Sequence, residues 1–167
     1  MLFRSWDADT TGAFVAVLRD GSPRSWRFLE TLGVLERAIP EVSTALRARR
    51  ADPTEIDPLR VLRFPTVDRI RELSAADSGD SRFAVEHGLL EDDSPLLLAA
   101  LLLDLIDLAA DDNDLARSVL GQLSVTQEVE RTTAALVSDV QLYLAALNDV
   151  DVFDSTSINE IAEHIGS

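Results

Sequence analysis

The stretch "SPLLLAALLLDLIDLAADDNDLA", Ser94 to Ala116, decides how the chain is read. From Leu96 to Ala110 every residue is apolar except Asp104 and Asp107. Leu and Ala are strong helix formers. A helix with so few polar positions on any face has to be buried nearly all round, so Leu97, Leu101 and Leu105 are expected at the centre of a core. Ser94-Pro95 supplies a helix-start signature, with Ser94 as N-cap. The run is shorter than the roughly 20 residues that cross a bilayer. The two acids pose the question, because an unpaired carboxylate is costly to bury. Either they look outward from an ordinary core helix, or they mark a site, working or dead.

Outward from this run, helix signals recur along the whole chain. Phe14, Val17 and Leu18 have helical spacing within Thr10 to Arg19. Ser22 reads as an N-cap with Pro23 at the first helical position, and Gly33 as the stop. "VLERAIP" reads as a short turn, followed by a helix over Glu41 to Arg50. "ADPTEIDPLRVLRFP", Ala51 to Pro65, is the least regular connection. Helices are predicted over Thr66 to Ala75, Arg82 to Leu90, Asp112 to Leu123, Val125 to Leu147 and Ser155 to His164, the last with a capping box of Ser157 and Glu160. No β alternation and no internal repeat appears. The class is all-α, about eight helices in one domain over residues 1–167.

Composition sets further bounds. With 167 residues, 46% of them hydrophobic, the chain is long enough for one domain with a real core. Thirty acids against fifteen basic residues leave a net charge of -15, which opposes binding to nucleic acid or anionic lipid through bulk charge. All fifteen basic residues are Arg, which reads as coding bias of a GC-rich genome. There is no cysteine, so disulfides, thiolate nucleophiles and Cys-based zinc sites are excluded. "MLFRSWDADTTG" has no apolar segment of a signal peptide. A soluble, cytoplasmic protein with no nucleic-acid or membrane partner is expected.

Recognisable catalytic patterns are missing. The two histidines, His87 and His164, lie far apart and in no HExxH or His-Asp pairing. The seven glycines are scattered and form no phosphate-cradling loop, and no GxSxG elbow occurs. Asp104 and Asp107, three apart, share one helical face, and Asp111, Asp112 and Asp114 follow. These oxygens have the chemistry for Mg²⁺ or Ca²⁺, but the spacing is not that of a Ca²⁺ loop. A solvated acidic stripe is the competing reading.

Five segments, taken in order, resemble one known domain: "FVAVLRDGSPRSWRFLETLGVLERAIPEV", "RFPTVDRIREL", "PLLLAALLLDLIDLA", "LARSVLGQLSVTQEVERTTAALVSDVQLYLAAL" and "VDVFDSTSINEIAEHIGS". The domain is the HD-type phosphohydrolase domain of the bifunctional uridylyltransferase/uridylyl-removing enzymes that modify the nitrogen-signalling protein PII. The similarity spans nearly the whole chain but only that domain, so the chain is expected to be a piece of a longer multidomain protein. The family's "FTVDRH" motif ends in a metal-ligating His. Here Thr66, Val67, Asp68 and Arg69 match, and Ile70 stands in its place. The family's "LLHDIGKG" gives the His-Asp pair. Here Asp104 is kept and Leu103 replaces the His. The later "RHH" corresponds to Ser138, Asp139 and Val140, and a final ligand Asp to Asp151.

The resemblance therefore implies an HD-like helical bundle with its metal-ligand histidines lost. Such a hydrolase needs a metal to acidify a bound water and polarise the phosphoryl oxygen, and imidazoles fix that metal's affinity and geometry. No cofactor and no tightly bound metal is expected at the vestigial positions Ile70, Leu103, Asp104, Asp139, Val140 and Asp151. Asp104 is expected to find a substitute partner in Arg69, Arg71 or a backbone N–H. The implied function is a catalytically degenerate regulatory or interaction module, with PII or other domains of the same chain as partners. Two alternatives stay open: a metal-dependent phosphodiesterase removing UMP or AMP from PII, and an unrelated acidic all-α interaction domain.

Overall fold

The computed structural model describes residues 6–44, 64–75, 82–106 and 112–149. Among these residues there are helices and turns and no strand, so the protein is all-α. In chain order α1 is Ala8–Asp20, α2 Pro23–Thr31 and α3 Val34–Ala38. Residues 40–44 form helical α4. Then come α5 Pro65–Ala75, α6 Arg82–Gly88, α7 Ser94–Ile106, α8 Asp112–Gln122 and α9 Gln127–Asp149. The predicted helix over Ser155 to His164 and the polar break after Ala75 lie outside the described residues.

Local signals set the helix ends. Asp7 caps α1, its carboxylate accepting from the Thr10 N–H at 2.8 Å. Ser22 caps α2 in a reciprocal box with Ser25, and Pro23 follows at the first position. Gly33 adopts the left-handed conformation (φ 64°) that ends this segment. "VLERAIP" is helical through Ala38, where the sequence predicted only a turn. Its apolar residues explain the difference, because Leu35 and Ile39 are four apart and both buried. Arg37 secures the tight junction by donating to the carbonyls of Gly33 and Leu32. At α7, Ser94 is the first helical residue and not the cap. The Asp93 carbonyl accepts from the Leu97 N–H, and the Asp92 carboxylate accepts from the Ser94 N–H.

Helix α7 is the centre of the core, packed against α9, α5, α1 and α8. Leu97 through Leu102 and Leu105 are all buried, as the unbroken apolar run requires. On α9 the face toward the core carries Val129, Thr133, Leu136 and Val137, at helical spacing. Buried Thr133 and Thr11 each donate to a main-chain carbonyl, of Pro95 and Leu123 respectively. A run of edge-to-face aromatic contacts, Trp6 to Phe14 to Trp26 to Phe64, ties α1 and α2 to the residue that precedes α5.

One ion pair links α1 to the entrance of α7. Arg19 Nε lies 3.1 Å from both carboxylate oxygens of Asp93, and Nη2 donates to Oδ1 as well. The guanidinium holds the Asp93 carboxyl below its ordinary value, against the opposing effect of burial. A carboxyl with a depressed folded pKa stabilises the fold above its unfolded pKa, and that contribution is lost as pH falls through the folded pKa. Stability should therefore drop below the ordinary carboxylate range, and Asp93→Asn should flatten this part of the dependence. Urea melts at stepped pH values between neutrality and about pH 3 check it. An unchanged pH profile in the variant would refute the assignment.

Candidate functional site

Asp104 lies buried in the last turn of α7, and the start of α5 explains why it is tolerated there. The first turn of any helix has N–H groups without intrahelical acceptors, usually met by a Ser, Thr, Asp or Asn side chain at the N-cap. Here the residue before α5 is Phe64, which has no side-chain acceptor. Pro65 opens the helix and has no N–H to satisfy. The next two donors point to α7. Thr66 N lies 3.0 Å from both oxygens of Asp104, and Val67 N lies 3.2 Å from Oδ2. The Thr66 hydroxyl donates to Oδ1 at 2.6 Å. Asp68 N returns to the helix ladder through the Phe64 carbonyl at 2.8 Å. Asp104 is the N-cap of a helix 38 residues away in sequence.

The geometry answers which side chains accompany this carboxylate. Of the anticipated partners, Arg69 is exposed and donates to Glu72, and Arg71 donates to Asp68, both along α5 itself. Of the alternatives anticipated, the backbone N–H is the one seen among the described residues, joined by a hydroxyl. Both sources complement a carboxylate, but N–H groups at a helix start need an acceptor in any case, which makes Asp104 and α5 mutually dependent.

Helices α5 and α7 pack together, and Ile70 and Leu103, each half-buried, pack against the common core. Asp139 and Val140 are exposed on α9. Asp151, Asp107, Asp111 and His164 lie outside the described residues. His87 is half-buried on α6. Among the described residues no group of three or more His, Asp or Glu side chains is placed to hold a metal ion.

The donor set around Asp104 does not fit the metal of an HD phosphohydrolase. A divalent cation needs lone pairs of several oxygens or imidazoles. Here the carboxylate's oxygens receive donors, and the positive end of the α5 dipole points at them. A cation placed there would have to displace those N–H groups and face the same partial charge. The sequence carried only half of the signal: a Pro-initiated helix preceded by Phe64 has no cap of its own, and nothing local names the acceptor.

No family model, curated protein or solved structure matches the chain.

Proposed function

We propose that this chain is a regulatory or interaction module of degenerate HD type, belonging to a PII uridylyltransferase-like signalling protein of the cytoplasm. The observation that carries the reading is the engagement of Asp104 by Thr66 and Val67. The residue that matches the metal-ligating Asp of the family serves the fold, and its neighbours in the motif are aliphatic. Of the other motif positions, Ile70 and Leu103 pack against the core, and a domain of such descent would still have surfaces to work with. Its partners on this reading are a PII-type protein or other domains of the same chain. Among the described residues no helix is long and apolar enough to cross a membrane, which agrees with this setting.

The test is chemical. Protein purified without chelator is expected to carry far less than one equivalent of Mn, Fe, Zn or Co. Incubated with uridylylated PII and either Mn²⁺ or Mg²⁺, it should release no UMP above a blank. Stoichiometric metal, or UMP release lost in Asp104→Asn, would establish the phosphodiesterase instead. Binding of PII is scored separately by calorimetry, and its failure would remove that partner while leaving the loss of hydrolysis in place.

A further inference from the structure

A second feature lies at the start of α7, at the other end of the helix from Asp104. A groove of about 300 Å³, open to solvent along one side, runs between α1 and the starts of α7 and α9. Thr11, Gly12 and Val15 line it from α1, with Leu98 from α7 and Val125 and Val129 opposite. Ser124, in the left-handed backbone conformation (φ 47°), turns the chain between α8 and α9 and places Val125 on the groove wall.

Gly12, like Gly121 of α8, is a helix-interior glycine that no neighbour explains, and of the two it is Gly12 that lines the groove. A glycine inside a helix is destabilising relative to alanine, because its backbone loses more freedom on folding. Such a position is justified when a neighbouring group approaches too closely for a side chain. At Gly12 a Cβ would meet nothing within 4 Å. No contact within the described fold requires the bare backbone, and the space above it belongs to the groove.

The charges at the groove's rim select its occupant. Arg19 reaches the groove, but its guanidinium is engaged by Asp93. Asp92 lines the same rim and is exposed, its Oδ1 accepting from the Ser94 N–H. Arg19, Asp93 and Asp92 together leave one negative charge, on a chain whose net charge is -15. A trough whose lining mixes apolar side chains (Val15, Leu98, Val125, Val129) with the Asp92 carboxylate complements an aliphatic stem with a cationic head, the shape of a lysine side chain. The open side admits a polypeptide, whereas small-molecule sites enclose most of their ligand.

We propose that this groove receives a lysine side chain of a basic polypeptide partner, its stem over Gly12 and its ammonium at Asp92. The inference rests on the reading of the chain as an interaction module and names the chemistry of one contact. Its failure would be distinct from that of the module reading, which stands on metal content and UMP release.

The full chain, ¹⁵N-labelled, is titrated with the acetylated and amidated tripeptide Ala-Lys-Ala. The same tripeptide with norleucine for lysine, and free n-pentylamine, are titrated in parallel. Shifts are expected at the amides of Gly12, Val125 and their neighbours, weaker for norleucine, and decreasing with added salt. Gly12→Met should weaken association by about tenfold or more by filling the groove. Asp92→Asn, at an exposed site, should weaken it by about two- to fivefold. Gly12→Ala should remain folded with a raised Tm. Circular dichroism checks Gly12→Met, and if its helicity falls the Asp92→Asn result decides. Absence of shifts at these amides, or equal shifts in both variants, would overturn the proposal. Tighter binding of pentylamine than of the tripeptide would make the groove a small-molecule site and overturn the polypeptide assignment.

Discussion

Asp104→Ala is expected to lower the free energy of unfolding by about 3–5 kcal/mol, because several buried donors lose one charged acceptor at about 1–3 kcal/mol each. The substitution deprives three donors of their acceptor: the N–H groups of Thr66 and Val67 and the Thr66 hydroxyl. Each unsatisfied buried donor costs about 1–3 kcal/mol, partly relieved where water reaches it. The start of α5 should fray, and the aromatic contact of Phe64 with Trp26, next to that start, should loosen with it. Asp104→Asn keeps one acceptor oxygen and should cost less, about 1–3 kcal/mol. Thr66→Val removes only the hydroxyl and should cost about 1 kcal/mol. Urea unfolding followed by circular dichroism gives all three values. If Asp104→Ala unfolds within about 1 kcal/mol of the parent chain, the cap assignment is wrong. The ordering of the three variants separates a capping carboxylate from one that merely happens to be buried.

Leu101→Ala should cost about 2–5 kcal/mol, through lost transfer free energy and the cavity left behind. Leu101 is fully buried at the middle of α7, which packs on four other helices. No single neighbour can relax into the space, which places the cost toward the upper part of the range. Leu103→Ala, on a half-buried side chain of the same helix, should cost less. Leu142→Ala on α9, with 47% of its surface exposed, should fall within about 0.5 kcal/mol of the parent. Thermal or urea melts of the series measure the gradient. Equal costs at Leu101 and Leu142 would mean that α7 is not the core helix.

The two substitutions touch one helix from different sides of its chemistry. Leu101 is buried because apolar area leaves water when α7 is surrounded. Asp104 is buried because α5 starts without a cap of its own and draws one from α7. The same stretch of sequence supplies both the hydrophobic centre and the polar clasp, which makes α5 and α7 one unit of the fold. On the proposed reading, this dependence gives an acid a reason to persist in an apolar run after its motif histidines have gone.

The sequence by itself determined what depends on neighbours along the chain. The all-α class, the central place of the Leu/Ala run and the burial of Leu97, Leu101 and Leu105 follow from period and composition. The caps at Ser22-Pro23 and the stop at Gly33 follow from contacts a few residues long. The helix within "VLERAIP" is local in origin too, since Leu35 and Ile39 have helical spacing. Tertiary structure alone decided which groups meet. Whether Asp104 faced water, a metal, an arginine or a helix end was not legible in α7, because its partners lie 38 residues earlier. The pairing of Arg19 with Asp93, 74 residues apart, was hidden for the same reason. Periodicity states which face of a helix is apolar, and it carries no record of what is packed against that face. The groove over Gly12 exists only because α1 and the entrances of α7 and α9 come together, and a single glycine in a helical segment does not announce it.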